Sequence, residues 1–207
     1  MRQLALVLIL CAFCGCSLLP SKERPKAEFD FGPQPNTASH SAPLSPMQLM
    51  VYDVIAPTWM DGTAMYYRLA YENPAVPRPY AESEWVMSPA ALLTQRLRSS
   101  AAVDTDGGTR TVGMHRPAVY ALYSELLEFE QIFDAPGRSH GVLRLRATLE
   151  GEGMWTQRTF AVDRAAPTPN AAGGVTALVE CTEELERLLE EWVSRSVSGP
   201  PPSVNRN

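Results

Sequence analysis

The chain predicts an α/β fold: a single-domain sandwich with a mixed, partly antiparallel sheet and at least two packed helices. Three observations carry this. Leu143, Leu145, Ala147 and Leu149 alternate with Arg144, Arg146 and Thr148, the period of a strand with one wet face. Leu178, Cys181, Leu185, Leu188, Leu189, Trp192 and Val193 recur at helical spacing, opposite Glu183, Glu184, Glu186, Arg187, Glu190 and Glu191. Ser88-Pro89 opens a second helical pattern, because the hydroxyl caps free amides and proline suits a first turn where its missing N–H costs nothing. With 207 residues, 45% of them hydrophobic and 20% charged, the chain has the length and composition of one core-forming domain behind a leader.

The leader is residues 1–15. Arg2 precedes an apolar run from Leu4 to Leu10, too short to cross a bilayer, which takes ~20 apolar residues. Gly15 is small enough to precede a cleavage point, and the thiol of Cys16 can carry a diacylglycerol. The stretch resembles the lipobox of bacterial lipoproteins, departing from it at Phe13, where leucine is usual, and at Cys14. Cys11 and Cys14 are poorer acceptors because bulky Leu10 and Phe13 precede them. The alternative is an ordinary cleaved signal with a cysteine at the junction by chance. Residues 16–27 then form a lipidated, polar tether. Ser17 rather than aspartate after the cysteine resembles the sorting signal for the outer membrane, which implies a lipid-anchored protein facing the periplasm.

The domain is expected over residues 28–198. Glu28 to Pro33 alternates polar with aromatic residues and then breaks, as a short strand does. Residues 34–46, rich in Pro, Ser, Thr and Ala, form a linker inside the domain. Met47 to Ile55 is apolar at nearly every position, the pattern of a strand buried on both faces under helices on two sides. Asp61-Gly62 turns the chain, and Met65 to Tyr71 reads as a neighbouring strand pairing with the first. Asn73 to Pro79 is a proline-broken loop, and Tyr80 to Met87 leads out of it. Leu92, Leu93, Leu97 and Ala101 define one face of a helix over 89–102. Asp106-Gly107-Gly108 is a loop, and Val112 to Pro117 is either a short strand or an irregular connection.

Tyr120 to Phe133 fits both periods: Leu122, Leu126, Phe129 and Phe133 suit a helix, and Tyr123, Leu127, Phe129 and Phe133 suit a strand. The strand is preferred because the turn cluster Asp134 to Gly137 and the alternating strand follow it. Gly151-Glu152-Gly153 makes a hairpin tip, and Met154 to Val162 returns with Phe160 and Val162 inward, giving a three-stranded meander. After a break from Pro167 to Gly174, the last helix runs from about Val175 to Val197. Gly199-Pro200-Pro201 ends it, and residues 199–207 form a disordered tail.

Chemistry-bearing patterns are sparse. The formal charge of -5 becomes one unit more acidic without Arg2, and no basic stripe exists to neutralise phosphates, so a nucleic-acid partner is not expected. Three of the four cysteines lie at or before position 16, leaving Cys181 without a disulfide partner and excluding a cysteine zinc site. His40, His115 and His140 share no ligand spacing, so neither metal nor cofactor is expected. Ser139-His140 reads as part of a hairpin turn, and a hydrolase dyad there lacks any Gly-x-Ser-x-Gly elbow. Cys181 reads as a small buried hydrophobe rather than a reactive thiol. The acidic face of the last helix reads as solvated, a partner surface being the alternative. Trp59 and Met60 are equally an exposed contact or a cap on the core.

Ala56-Pro57, Trp59, Asp61-Gly62, Tyr66, Arg68, Tyr80, Trp85, Pro89, Leu92-Leu93 and Leu97, in that order and spacing, resemble the ABC-type transport auxiliary lipoprotein family. Leu127, Phe129, the strand from Ser139 to Leu149, Arg158, Phe160, Gly174, Ala177-Leu178 and Trp192 agree with it. Met65, Tyr67, Val86-Met87 and the extended linker depart from it without touching that framework.

The resemblance implies a non-enzymatic accessory without cofactor. Its partners would be an inner-membrane ABC permease with its ATPase and a mammalian-cell-entry (MCE) domain protein, in a system moving lipids or other apolar compounds between the two membranes of a Gram-negative cell. Cys16 is the lipidation site. The signature residues Trp59, Tyr66, Arg68, Tyr80, Trp85 and Pro89 read as a fold device, with a binding role for Arg68 or Trp85 left open. A ring-forming partner leaves a homo-oligomer open as well. The other readings are a structural or assembly lipoprotein of the outer membrane and a lipid-handling hydrolase using Ser139 and His140.

Overall fold

The structure, a computed structural model, describes residues 25–33, 49–102, 120–151 and 153–198. The signal peptide, Cys16, most of the tether, the Pro-rich linker, His40, His115, the Asp106-Gly107-Gly108 loop and the C-terminal tail lie outside them. The strands are β1 (Ala27–Phe29), β2 (Leu49–Val51), β3 (Ala64–Leu69), β4 (Arg78–Trp85), β5 (Tyr120–Ala135), β6 (Arg138–Gly151) and β7 (Met154–Ala165). The helices are α1 (Pro89–Ala102) and α2 (Ala171–Ser198), with one 3-10 turn at Thr58–Met60. They build a mixed seven-stranded sheet, ordered β1-β4-β3-β5-β6-β7 with β2 also beside β5, and two helices packed on it. The fold class is the α/β single domain that the periodicities predict.

β5 organises the sheet. It pairs antiparallel with β6 along nearly its whole length, and β6 in turn pairs with β7, which is the expected meander. Its other edge is shared: Tyr120–Leu122 takes β2 in parallel, and residues 131–133 take β3 in parallel. β2 and β3 are therefore not the neighbouring pair expected from the sequence; each meets a different end of β5. Parallel strands need a long connection between them, and β4 and α1 lie between β3 and β5 in the chain.

The two-period ambiguity of Tyr120 to Phe133 has a geometric cause. Register shifts between Leu126 and Glu128, so Leu127 is a β-bulge. Residues on the helix-covered face are consequently spaced as 120, 122, 124, 126, 129, 131 and 133. The subset Leu122, Leu126, Phe129 and Phe133 thus imitates a helix.

Both helices lie on one face. α2 places Leu178, Cys181, Leu185, Leu189 and Val193 against Leu143, Leu145, Ala147, Leu149, Phe160 and Val162. α1 adds Leu92, Leu93 and Leu97 to the same core. At ~25 cal/mol per Å2 of buried apolar area, this continuous cluster is the main driving force for folding.

The expectation of a strand over Met47 to Ile55 buried on both faces is corrected. Among the described residues of that span only Leu49–Val51 joins the ladder, with one further bridge between Ile55 and Glu125, and Met50, Tyr52 and Ile55 are exposed. Their apolar character belongs to a face that no described helix covers.

Three other local expectations change. Tyr80 to Met87 does more than lead out of a loop, since Arg78–Trp85 is a strand of the sheet. Pro79 is tolerated there because β1 pairs only with Ser83–Trp85, leaving the outer side of Pro79 without a strand partner among the described residues. α2 begins at Ala171 instead of Val175: Asn170 Oδ1 accepts from the Gly173 N–H at 2.9 Å, and its carbonyl accepts from the Gly174 N–H.

Gly173 and Gly174 are inside the first turn because nothing larger fits. A Cβ on Gly173 would lie 2.0 Å from the Thr168 carbonyl oxygen, and one on Gly174 2.1 Å from Gln131 Oε1. The α1 start is as expected, with the Ala91 N–H donating to Ser88 Oγ at 3.3 Å.

Candidate functional site

The six signature residues divide between the two faces of the sheet. β3 alternates, so Met65 and Tyr67 point to the helices while Tyr66 and Arg68 point to the open face. Beside them, the turn at Thr58–Met60 closes with the Met60 N–H donating to the Pro57 carbonyl at 2.8 Å. It buries Met60 and leaves Trp59 40% exposed above the sheet. The Trp59 ring meets Tyr66 edge-to-face with centroids 5.2 Å apart, and the Arg68 guanidinium lies 5.8 Å from it.

Arg68 is held from below by Glu130, which sequence reasoning missed. Its Nε donates to both Glu130 carboxylate oxygens at 2.7 Å, and Nη1 donates to the Pro74 carbonyl at 3.0 Å. Glu130 is only 3% exposed. Burial pushes its carboxyl above the usual range, outweighing the opposing hydrogen bond and charge of Arg68. Arg68 therefore ties the Trp59 turn and the loop after β3 to the sheet. No pattern around Glu130 marked it, because the bulge at Leu127 hides which side of β5 it takes.

Tyr80, Trp85 and Pro89 are on the other side. Trp85 is 2% exposed and packs edge-to-face on Phe31 (5.8 Å) and tilted on Phe129 (5.5 Å). Tyr80 packs on Tyr67 at 4.6 Å and donates to Gln131 Oε1 at 2.8 Å, and burial pushes its hydroxyl up to about 12. Gln131 Nε2 in turn donates to Ser139 Oγ at 2.8 Å, so the buried amide has both ends satisfied. Pro89 is the buried first residue of α1.

Ser139 and His140 are not in a turn. Both belong to β6, where consecutive side chains take opposite faces: Ser139 is buried against Gln131, and His140 Nδ1 lies 3.1 Å from Asp134 Oδ2 on the open face. A hydroxyl and an imidazole on opposite faces of one strand cannot exchange a proton directly. Cys181 is buried, and desolvation pushes its thiol up to about 12, away from the thiolate form. Among the described residues, no group of three or more His, Cys, Asp or Glu is placed to hold a metal.

The acidic face of α2 is not uniformly solvated. Glu186 turns to α1, where it accepts from Ser100 Oγ at 2.6 Å and lies 3.7 Å from the Nε of buried Arg96. Burial raises its carboxyl, and Ser100 and Arg96 oppose that shift.

What remains open to a partner is the uncovered sheet face. Tyr52 and Tyr123 stack there at 4.6 Å, and Met50, Ile55 and Trp155 are 50%, 64% and 63% exposed. Beyond this apolar end run three Arg–Glu pairs, Arg146–Glu125, Arg144–Glu128 and Arg68–Glu130. Exposed apolar residues grouped in this way mark an interaction surface more often than chance exposure does. The described helices are not long and apolar enough to cross a membrane.

This architecture defines the chain as an α/β domain with one helix-covered sheet face and one that no described helix covers, and the same fold occurs in solved structures. A Xanthomonas campestris protein described as belonging to family DUF330 superposes with a TM-score of 0.61 at 16% identity, over 86% of this chain and 91% of that one. A second, uncharacterised protein gives 0.60 at 13% identity, over 82% and 99%. A lipoprotein from Neisseria meningitidis gives 0.27 at 12% identity, over 74% and 99%, too little for a shared fold to be argued. No family model matches the sequence. No curated protein matches it either.

Proposed function

We propose that the chain is a non-enzymatic lipoprotein accessory of an ABC/MCE-type transport system moving lipids or other apolar compounds across the Gram-negative periplasm. In this reading Cys16 fixes the domain to the outer membrane, and the domain docks an MCE-domain protein linked to the inner-membrane permease and ATPase. The observation that carries it is the pairing of an apolar N-terminal run followed by Gly15-Cys16 with a domain that presents an exposed apolar sheet face. Tethering raises the effective concentration at the membrane, so a modest docking surface suffices. The family resemblance supplies the identity of the partners.

Crosslinking in the native host followed by purification of the tagged chain tests the proposal. Recovery of an MCE protein, permease or ATPase is the expected result. Recovery of outer-membrane assembly components alone would instead support a structural lipoprotein. Cys16→Ala is expected to leave the fold intact, release the chain from membranes and impair envelope function. Full function from the soluble form would overturn the tethering argument.

A further inference from the structure

We infer that the outer edge of β1 and the adjoining flank of α2 form a docking groove for an extended segment of a partner protein that alternates basic and apolar side chains. The groove has a volume of about 470 Å3. Phe29, Val175 and Val179 supply its apolar surface, each half-buried, and Glu28, Asp30, Glu180 and Glu183 its exposed rim.

Two independent features choose the occupant. The first is an unpaired strand edge. β1 pairs with β4 on one side only, and the Phe29 carbonyl accepts from the Val86 N–H at 2.9 Å on that side. Because backbone groups alternate along a strand, the N–H and C=O of Glu28 face outward, and no described strand takes them. An extended chain laid along this edge gains main-chain hydrogen bonds while its side chains point alternately to floor and rim.

The second is charge. The four rim carboxylates make no ion pair among the described residues, and no Lys or Arg lines the groove. The basic groups around it have partners of their own: Lys26 pairs with Glu84 at 2.9 Å, Arg187 with Glu184 and Glu191, and Arg96 donates to the Phe31 carbonyl at 3.4 Å and faces Glu186. Such a rim favours lysine or arginine on the incoming segment and disfavours an anionic lipid surface. The inference is independent of the transport reading and stands or fails without it.

The test uses the mature chain and a blocked hexapeptide of alternating lysine and valine. Calorimetry is expected to show binding that weakens with salt, is at least about tenfold weaker when glutamate replaces lysine, and is lost when alternate peptide nitrogens are methylated. Amide exchange at Glu28 is expected to slow when the peptide is added. The double variant Glu180→Lys, Glu183→Lys, at exposed helix positions, is expected to weaken binding at least about tenfold with an unchanged thermal midpoint.

Equal binding of the lysine and glutamate peptides, an unaffected double variant, or no binding would overturn the proposal. So would a Glu28 amide already protected in the free chain, which would show another segment of the chain on that edge. Protection that grows with protein concentration alone would make the occupant a second copy and overturn it equally.

Discussion

At the residue scale, two positions show how little room the packing leaves. Gly174 matters for the space it does not fill: a Cβ would meet the Oε1 of Gln131, which is already committed to the Tyr80 hydroxyl. Gly174→Ala is expected to cost ~1–3 kcal/mol of unfolding free energy by denaturant titration. Gly62→Ala, where a Cβ meets nothing within 4 Å, should leave stability nearly unchanged. The second position is Arg68, whose loss would leave Glu130 buried without its counter-charge.

Arg68→Ala is expected to cost ~3 kcal/mol or more, and adding Glu130→Gln should recover part of that loss. The carboxyls of Glu130 and Glu186 are both raised, by burial first, so between the unfolded and folded values the folded chain holds more protons. Their contribution to stability therefore increases as pH falls through the folded pKa and levels off below the unfolded one. Half-buried Glu184 is shifted the opposite way by exposed Arg187, with solvent screening that pair. Glu130→Gln should make the acid-side rise of the thermal midpoint shallower; an unchanged slope would show that Glu130 does not contribute to it.

At the scale of elements, the sequence was read well where side-chain period and capping act within one segment. The start of α1 follows from Ser88-Pro89, and the meander follows from Arg144, Arg146 and Thr148 alternating with apolar neighbours. It was read poorly where backbone geometry interrupts the period. The bulge at Leu127 resets the faces of β5, and Gly173 and Gly174 look like a break although close approach to Thr168 and Gln131 requires them in the helix. The cap that starts α2 is Asn170, and Asn170→Ala should lower stability by ~1 kcal/mol in the same titration. β4 was missed because Pro79 lies within it, and whether a proline is tolerated depends on which strand lies beside it.

At the scale of the whole molecule, the open sheet face distinguishes this domain from one with helices on both sides. Ile55 and Trp155 are its most exposed large side chains, so truncating them removes contact area without opening the core. Ile55→Ser with Trp155→Ser is expected to keep the thermal midpoint within a degree or two while reducing capture of a crosslinked partner several-fold. Undiminished capture would remove this face from the docking argument. Of the signature residues, Trp59, Tyr66 and Arg68 border the open face, whereas Tyr80, Trp85 and Pro89 support it from within the core. The six residues therefore form two groups on opposite faces of the sheet rather than one fold device.

The sequence by itself determined the mixed α/β class, the inward faces of β6, β7 and α2, and the start of α1. These depend on residues a few positions apart, where period, caps and turns express backbone preference directly. Only the tertiary structure decided that β2 and β3 share one edge of β5, that Met50, Tyr52 and Ile55 face outward while Val51 and Val54 are buried, and that buried Glu130 partners Arg68 and half-buried Glu186 partners Arg96. Parallel pairing joins segments far apart through backbone groups common to every residue, and an ion pair between distant elements leaves no period in either. Such pairings become specific only when the hydrophobic faces have chosen how to stack.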